Sequence, residues 1–170
     1  MTDSKKLGVH SAQHISRMCF VCGRDNESGL HSHFFNLDDG RVACQFTANE
    51  EHQGYPGRMH GGLIGAVLDE LIGRVLQVTD PTAFAVTIDL AVKYRKPVPL
   101  GQQVKAIAWA TKETARLLEG EAELYLADGS VAVKATARYL KIDVTRISPE
   151  GLPEADWLED SRPTPHTIDI

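Results

Sequence analysis

No hydrophobic run in this chain approaches the ~20 residues that a membrane-spanning helix needs, and Met1-Thr-Asp-Ser-Lys-Lys6 is not followed by the apolar core of an export signal. The expectation is a cytoplasmic protein with no membrane partner. Cysteine is scarce and odd in number, three in 170 residues, which supplies no disulfide framework. Aromatic residues are only 6%, a hint against a pocket built for bulky aromatic groups. A basic excess is missing too. The formal net charge is −5, and six acids (Glu150, Glu154, Asp156, Glu159, Asp160, Asp169) face Arg162 alone between 150 and 170. The remainder holds 17 acids and 17 bases, without the basic stripe that nucleic-acid binding requires. Repeats and low-complexity tracts are absent. With 42% hydrophobic and 24% charged residues, the composition is that of one ordinary globular domain.

What is present is concentrated between His60 and Leu76. Apolar residues at 63, 64, 67, 68, 71, 72, 75 and 76 recur in pairs every four positions, the stripe of a buried amphipathic helix. Glycine stands at 61, 62, 65 and 73, although each interior glycine costs a helix about 1 kcal/mol relative to alanine. At about 100° per residue, Gly62, Gly65, Ala66, Asp69 and Gly73 share one narrow face. One carboxylate therefore stands in a strip of small residues that another backbone or a ligand can approach. Helix N-termini present unpaired N–H groups and partial positive charge. Without side chains at Gly61 and Gly62 those donors are uncovered, suited to an anion or a developing oxyanion. The bland reading of the glycines is close packing on a sheet.

Strand patterns flank this helix. Residues 30–37 and 41–48 surround the hairpin signal Asp38-Asp-Gly40, and the polar loop 49–58 delivers the chain to the helix. Beyond Pro81, the even positions from Phe84 to Tyr94 are Phe, Val, Ile, Leu, Val and Tyr, an unbroken alternation. Residues 103–112, 115–127 and 131–142 read as three further strands. Two strands, one long helix and four strands predict an α+β fold in which a curved antiparallel sheet wraps a single central helix. Residues 9–18 read as a short helix in an N-terminal extension (1–18), 19–142 as the domain, and 143–170 as an acidic tail with a helical turn near Asp156. Trp157 and Ile168 are its expected anchors.

Cys19-Phe-Val-Cys22 admits three readings. With His31 and His33 it would make a Cys₂His₂ zinc set, but a second CxxC is missing and the histidines fall in an apparent strand. A redox motif would want a thioredoxin-like βαβ context, also missing. The preferred reading is two small apolar residues before a turn, with no metal.

The segments Gly54-Tyr-Pro-Gly57-Arg-Met-His60-Gly-Gly62 with Asp69-Glu70, supported by Cys19-Phe-Val-Cys-Gly23, Gly29-Leu30 and Tyr94-Arg-Lys-Pro97-Val-Pro-Leu-Gly101, resemble the PaaI-type branch of the hotdog-fold acyl-CoA thioesterase superfamily. The likeness covers about residues 17–142. It implies a hotdog fold, edge-to-edge pairing into a homodimer or a dimer of dimers (homotetramer), and an acyl-CoA thioester bound at the subunit interface. No cofactor is implied, coenzyme A being part of the substrate. In this resemblance Asp69 is the general base or nucleophile, and the Gly62 N–H polarises the thioester carbonyl, with His60 before it. Thr87 matches a hydroxyl that orients the water. Where many members carry an asparagine six residues before the histidine, this chain has Gly54; either Gln53 beside it substitutes, a water takes the role, or catalysis is slower. Gly61 lines the same end, and Arg58, Arg95 and Lys96 are candidates for the phosphates of coenzyme A.

Two other functions compete. A hotdog dehydratase or hydratase would pair a histidine with an acid, as His52 with Asp69; against it, the position five residues after the aspartate is Arg74. A non-catalytic acyl-CoA-binding module would hold the ligand without turning it over. Glu70 and Arg74, at i,i+4, read as a surface ion pair.

Overall fold

The computed structural model describes residues 5–170. The apolar stripe folds as α1, Gly61–Gly73, extended by a 3₁₀ turn over Arg74–Val78. Ile64, Val67, Leu68, Leu71 and Ile72 are buried along it, the pairing at every fourth position that one covered face requires. The expected strands follow: β3 (His33–Leu37) and β4 (Val42–Thr47) before the helix, then β5 (Phe84–Tyr94), β6 (Gln103–Glu113), β7 (Leu117–Tyr125) and β8 (Val131–Ile142). They form one antiparallel sheet with β6–β7–β8 at its centre and β5 at one edge. The helix covers one face. Its side chains share a core with Phe34, Val42, Cys44 and Phe46 from the first hairpin and Ala106, Leu118, Leu124, Val133 and Tyr139 from the later strands. This is the hotdog arrangement of one long helix on a large antiparallel sheet.

The ends of the chain depart from expectation. Residues 9–18 form no helix; Lys6–Ala12 is strand β1, paired with β3, and Ile15–Ser16 is the short β2. The C-terminal stretch is equally structured. Trp157–Leu158 (β9) pairs with β2, so the chain at Asp156 leads into strand and not helix, and Thr167–Asp169 (β10) pairs with β1. Neither end is an appendage to the domain. Leu7 and Ile168 join Phe35, Leu37, Ala43 and Ile107 in a second core on the opposite face of the sheet. The polar letters of the tail concealed this, since Asp160 is held by Arg162, whose guanidinium also donates to the carbonyls of His31 and Ser32.

The alternation in β5 is also broken in space. Thr87 pairs with Tyr139 and Asp89 with Arg138, leaving Ile88 as the extra residue of a bulge. A bulge shifts the side-chain phase by one. Ala85 and Thr87 therefore face the helix before it, and Leu90, Val92 and Tyr94 after it. Val86 and Ile88 are left 38% and 52% exposed on the free edge.

Ile168 is fully buried in the second core. Ile168→Ala should lower the unfolding free energy by about 2–5 kcal/mol, read from urea denaturation curves; a loose tail would leave the midpoint unmoved.

Candidate active site

Asp69 projects from α1 toward β5 and β8. The Thr87 hydroxyl donates to its carboxylate at 2.9 Å (Oδ1) and 3.1 Å (Oδ2). The Tyr139 hydroxyl lies 2.7 Å from the Asp69 carbonyl oxygen and 3.0 Å from Oδ1. Burial, and then the neighbouring Asp69 carboxylate, push the Tyr139 phenol well above its ordinary pKa, so it stays protonated and acts as a donor. Thr87 reaches Asp69 only because the bulge at Ile88 turns it inward. Tyr139 was missed in the sequence. Its one signal is a large hydroxylated side chain in a strand otherwise rich in alanine and valine. Asp69, Thr87 and Tyr139 line a cavity of about 330 Å³ whose other walls include Phe84, Trp157, Gly73 and Cys19.

The start of the helix is a second centre. His60 is the N-cap, and its Nδ1 accepts the Gly62 N–H at 2.9 Å. Gly62 is thus not the open donor that the resemblance implies, because a capping imidazole already occupies it. The N–H groups of Leu63 and Ile64 return to the His60 carbonyl. The donor of the first turn without an acceptor, among the described residues, is Gly61 N–H. On its other side, the Gly61 carbonyl accepts the Tyr94 hydroxyl at 2.6 Å. Gly54, Tyr55, Met59, His60 and Gly61 line a shallow pocket here. This pocket is separate from the one at Asp69. Eight residues at 1.5 Å rise place the two ends about 12 Å apart along the helix axis.

The loop residues have fixed tasks. Gln53 Oε1 accepts the Gly57 N–H at 2.9 Å, so its carbonyl end is engaged in bracing the loop. A Cβ on Gly54 would sit 3.1 Å from His60 Cα and 3.3 Å from its ring. His52 is buried; its Nδ1 accepts the Asn49 N–H, leaving the Nε2 proton for the Ser28 carbonyl at 3.0 Å. With both ring nitrogens used, it cannot serve as a base beside Asp69. Arg58 is exposed on the loop, its backbone bridged to Pro99. Arg95 and Lys96 are exposed past the end of β5, and Arg95 lines a groove with Lys93 and Lys134 on the sheet face away from the helix.

Glu70 and Arg74 are no surface pair. Arg74 is 4% exposed. Its guanidinium binds Glu70 Oε1 at 2.7 Å, the His14 carbonyl at 2.8 Å and Cys22 Sγ at 3.2 Å, and lies 4.1 Å over the Phe34 ring. The covering comes from β2 and Trp157, elements that the i,i+4 spacing does not reveal.

Comparison with known proteins agrees with this architecture. Residues 56–133 match the model of the family described as thioesterase superfamily. The matched stretch is 78 of the 170 residues and runs from the loop before α1 to the start of β8. The human protein named acyl-coenzyme A thioesterase 13 is 31% identical over 74 residues, 44% of this chain and 53% of that protein. The chain thus spans about half the length of the curated relatives it matches. Among solved structures, a thioesterase superfamily protein superposes with a TM-score of 0.66 at 25% identity, covering 74% of this chain and 61% of that one. The E. coli PaaI protein of the phenylacetic acid degradation operon does so at 0.60 and 14% identity, covering 66% and 80%.

The cap gives a direct test of the helix start. His60→Ala removes the acceptor for Gly62 N–H and should cost about 0.5–2 kcal/mol of stability, measured by denaturant unfolding; an unchanged midpoint would mean that the imidazole does not cap the helix.

Proposed function

We propose that this chain is a cytoplasmic acyl-CoA thioesterase of the PaaI type, hydrolysing a thioester to a carboxylic acid and coenzyme A. The observation that carries this reading is the Asp69 carboxylate, fixed by Thr87 and Tyr139 at the wall of a cavity, on a helix whose first N–H is open. In the proposed reaction Asp69 accepts a proton from water as it adds to the thioester carbon, a role that typically contributes about 10²–10⁴-fold. A carboxylate held by two hydroxyls has one productive orientation, which is what such a base requires. Gly61 N–H takes the developing oxyanion, placed at the positive end of the helix.

One protomer does not bring these two groups together. Both must stand about 3 Å from a single thioester group, and the helix separates them by about 12 Å. Two copies paired through the β5 edge, with helices antiparallel, set Asp69 of one beside Gly61 of the other. The exposed Val86 and Ile88 on that edge favour such pairing, because a long apolar edge strand is a hazard when left bare. A homodimer, or a dimer of dimers, is therefore part of the proposal. Arg58 is the cation best placed for the phosphates of coenzyme A, since it shares the loop with Gly54 and His60.

The test is release of free coenzyme A across a panel of acyl-CoAs. Asp69→Asn should reduce kcat by about 100-fold or more while leaving the oligomer intact. Acyl-CoA held without turnover by the unaltered protein would instead identify a binding module. Gly61→Pro isolates the other half of the site. Gly61 is the first helical residue, where proline is tolerated, and His60 has φ −65° and ψ 132°, an extended conformation that proline accepts in the residue before it. This change removes one N–H and should slow hydrolysis by about 10²–10³-fold with the fold retained; unaltered turnover would exclude Gly61 as the oxyanion donor.

A further inference from the structure

Cys19 and Cys22 take no part in the hydrolysis above, and they are not simply apolar packing. They lie in a tight turn over residues 19–23, closed by the Gly23 N–H donating to the Cys19 carbonyl at 2.7 Å. A Cβ on Gly23 would fall 2.2 Å from that oxygen, so the turn depends on glycine there. The two sulfurs and a Glu70 carboxylate oxygen lie within 4.8 Å of one another. Sulfurs this close can reach the ~2.05 Å of a disulfide bond by rotation of their side chains.

The two thiols differ in their surroundings. Cys19 is partly exposed in the wall of the Asp69 cavity, and its S–H donates to Glu70 Oε2 at 3.1 Å. Cys22 is 1% exposed, and its sulfur accepts from Arg74 Nη2 at 3.2 Å and from the Ser16 N–H at 3.4 Å. A hydrogen bond from the Cys22 thiol holds the Cys19 thiol below its ordinary range, whereas that bond and burial push Cys22 up. An accessible thiol followed three residues later by a shielded one is the order that stepwise thiol–disulfide exchange uses. The same donors would suit a metal cation. But the Arg74 guanidinium already places positive charge on both Cys22 and Glu70, and a closed zinc site needs four ligands where this cluster offers three.

We propose that Cys19 and Cys22 form a redox-active dithiol that small-molecule disulfides convert reversibly to an intramolecular disulfide. Cys19 loses its proton to solvent and attacks one sulfur of the small disulfide RSSR. That S–S bond breaks, a Cys19–S–S–R bond forms, and one thiolate leaves and takes up a proton. Cys22, deprotonated in turn, attacks the Cys19 sulfur and expels the second thiolate, which is also protonated. The protein gives up two electrons and two protons, and RSSR becomes two RSH. Once both sulfurs lack hydrogen, Glu70 Oε2 loses its thiol donor while Arg74 keeps a sulfur acceptor.

The full chain, equilibrated in glutathione buffers from fully reduced to fully oxidised and then denatured and alkylated, is weighed by mass spectrometry. The oxidised protein should take one alkyl group, on Cys44, where the reduced protein takes three, and dithiothreitol should restore all three. Cys22→Ser should trap glutathione on Cys19, and Cys19→Ser should take none in the native state. Three alkyl groups at every buffer ratio would overturn the proposal, as would a glutathione adduct that never resolves in the unaltered protein. Stoichiometric zinc that protects both thiols from oxidation would overturn it in favour of a metal site. Should either serine variant fail to fold, the unaltered chain alone decides. None of these readouts depends on thioester hydrolysis.

Discussion

The seating of α1 on β5 and β8 is the constraint on which the rest depends. Gly65 lies under Tyr94, Leu90 and Val92, and a Cβ on Gly73 would be 3.3 Å from the Tyr139 ring. A side chain at 73 would press on the Tyr139 ring, and a Cβ at 65 would already be in van der Waals contact with β5. With the helix close, the Tyr139 hydroxyl reaches the Asp69 backbone carbonyl and its carboxylate together, and Thr87 closes from the other strand. Interior glycines each cost about 1 kcal/mol of helix propensity, offset here by contact between helix and strand. The strip of small residues does two things at once: its ends pack, and the acid between them is presented to a cavity.

That close approach was partly legible in the sequence. The pairs of apolar residues every fourth position specify α1, and the strand runs from 103 to 142 alternate cleanly enough to place β6, β7 and β8 to within a residue or two. The strip containing Asp69 could be found by angle alone. The phase of β5 could not. Its even positions are apolar from end to end, yet the bulge at Ile88 reverses which set faces the helix. A bulge needs no particular residue when its extra position is on a free edge, so no letter announces it. Had the alternation persisted, Thr87 would point away from Asp69.

The ends of the chain were illegible for a different reason. β1 is a strand because β3 and β10 flank it, and β10 because β1 does, so each depends on partners far away in the chain. Local pattern carries no such long-range condition. The same holds for Glu70 and Arg74. Their spacing is that of an ordinary exposed pair, and only the return of the chain at Gln13, His14 and Trp157 buries them. A buried guanidinium demands that its donors be met, and four kinds of acceptor meet this one: a carboxylate, a side-chain amide, a carbonyl and a thiol. The second strand pair, β2 with β9, is in effect the lid of that polar cluster and the outer wall of the cavity beside Asp69.

The helix start shows how a departure from the resembled pattern fits its surroundings. His60 turns its ring back to cap Gly62, and the ring then lies against the chain at Gly54, 3.3 Å from where a Cβ there would stand. The Cβ of an asparagine at 54 would press on the capping histidine from inside normal contact distance, so His60 would have to give way slightly to admit it. Gln53 does not supply the amide carbonyl instead, since its oxygen is committed to Gly57. In the proposed site the orienting groups are therefore those on the acid's side, Thr87 and Tyr139, which hold the base directly. The loop is left to cap and shape the helix end, and the single donor that the cap leaves open becomes the one positioned for an oxyanion.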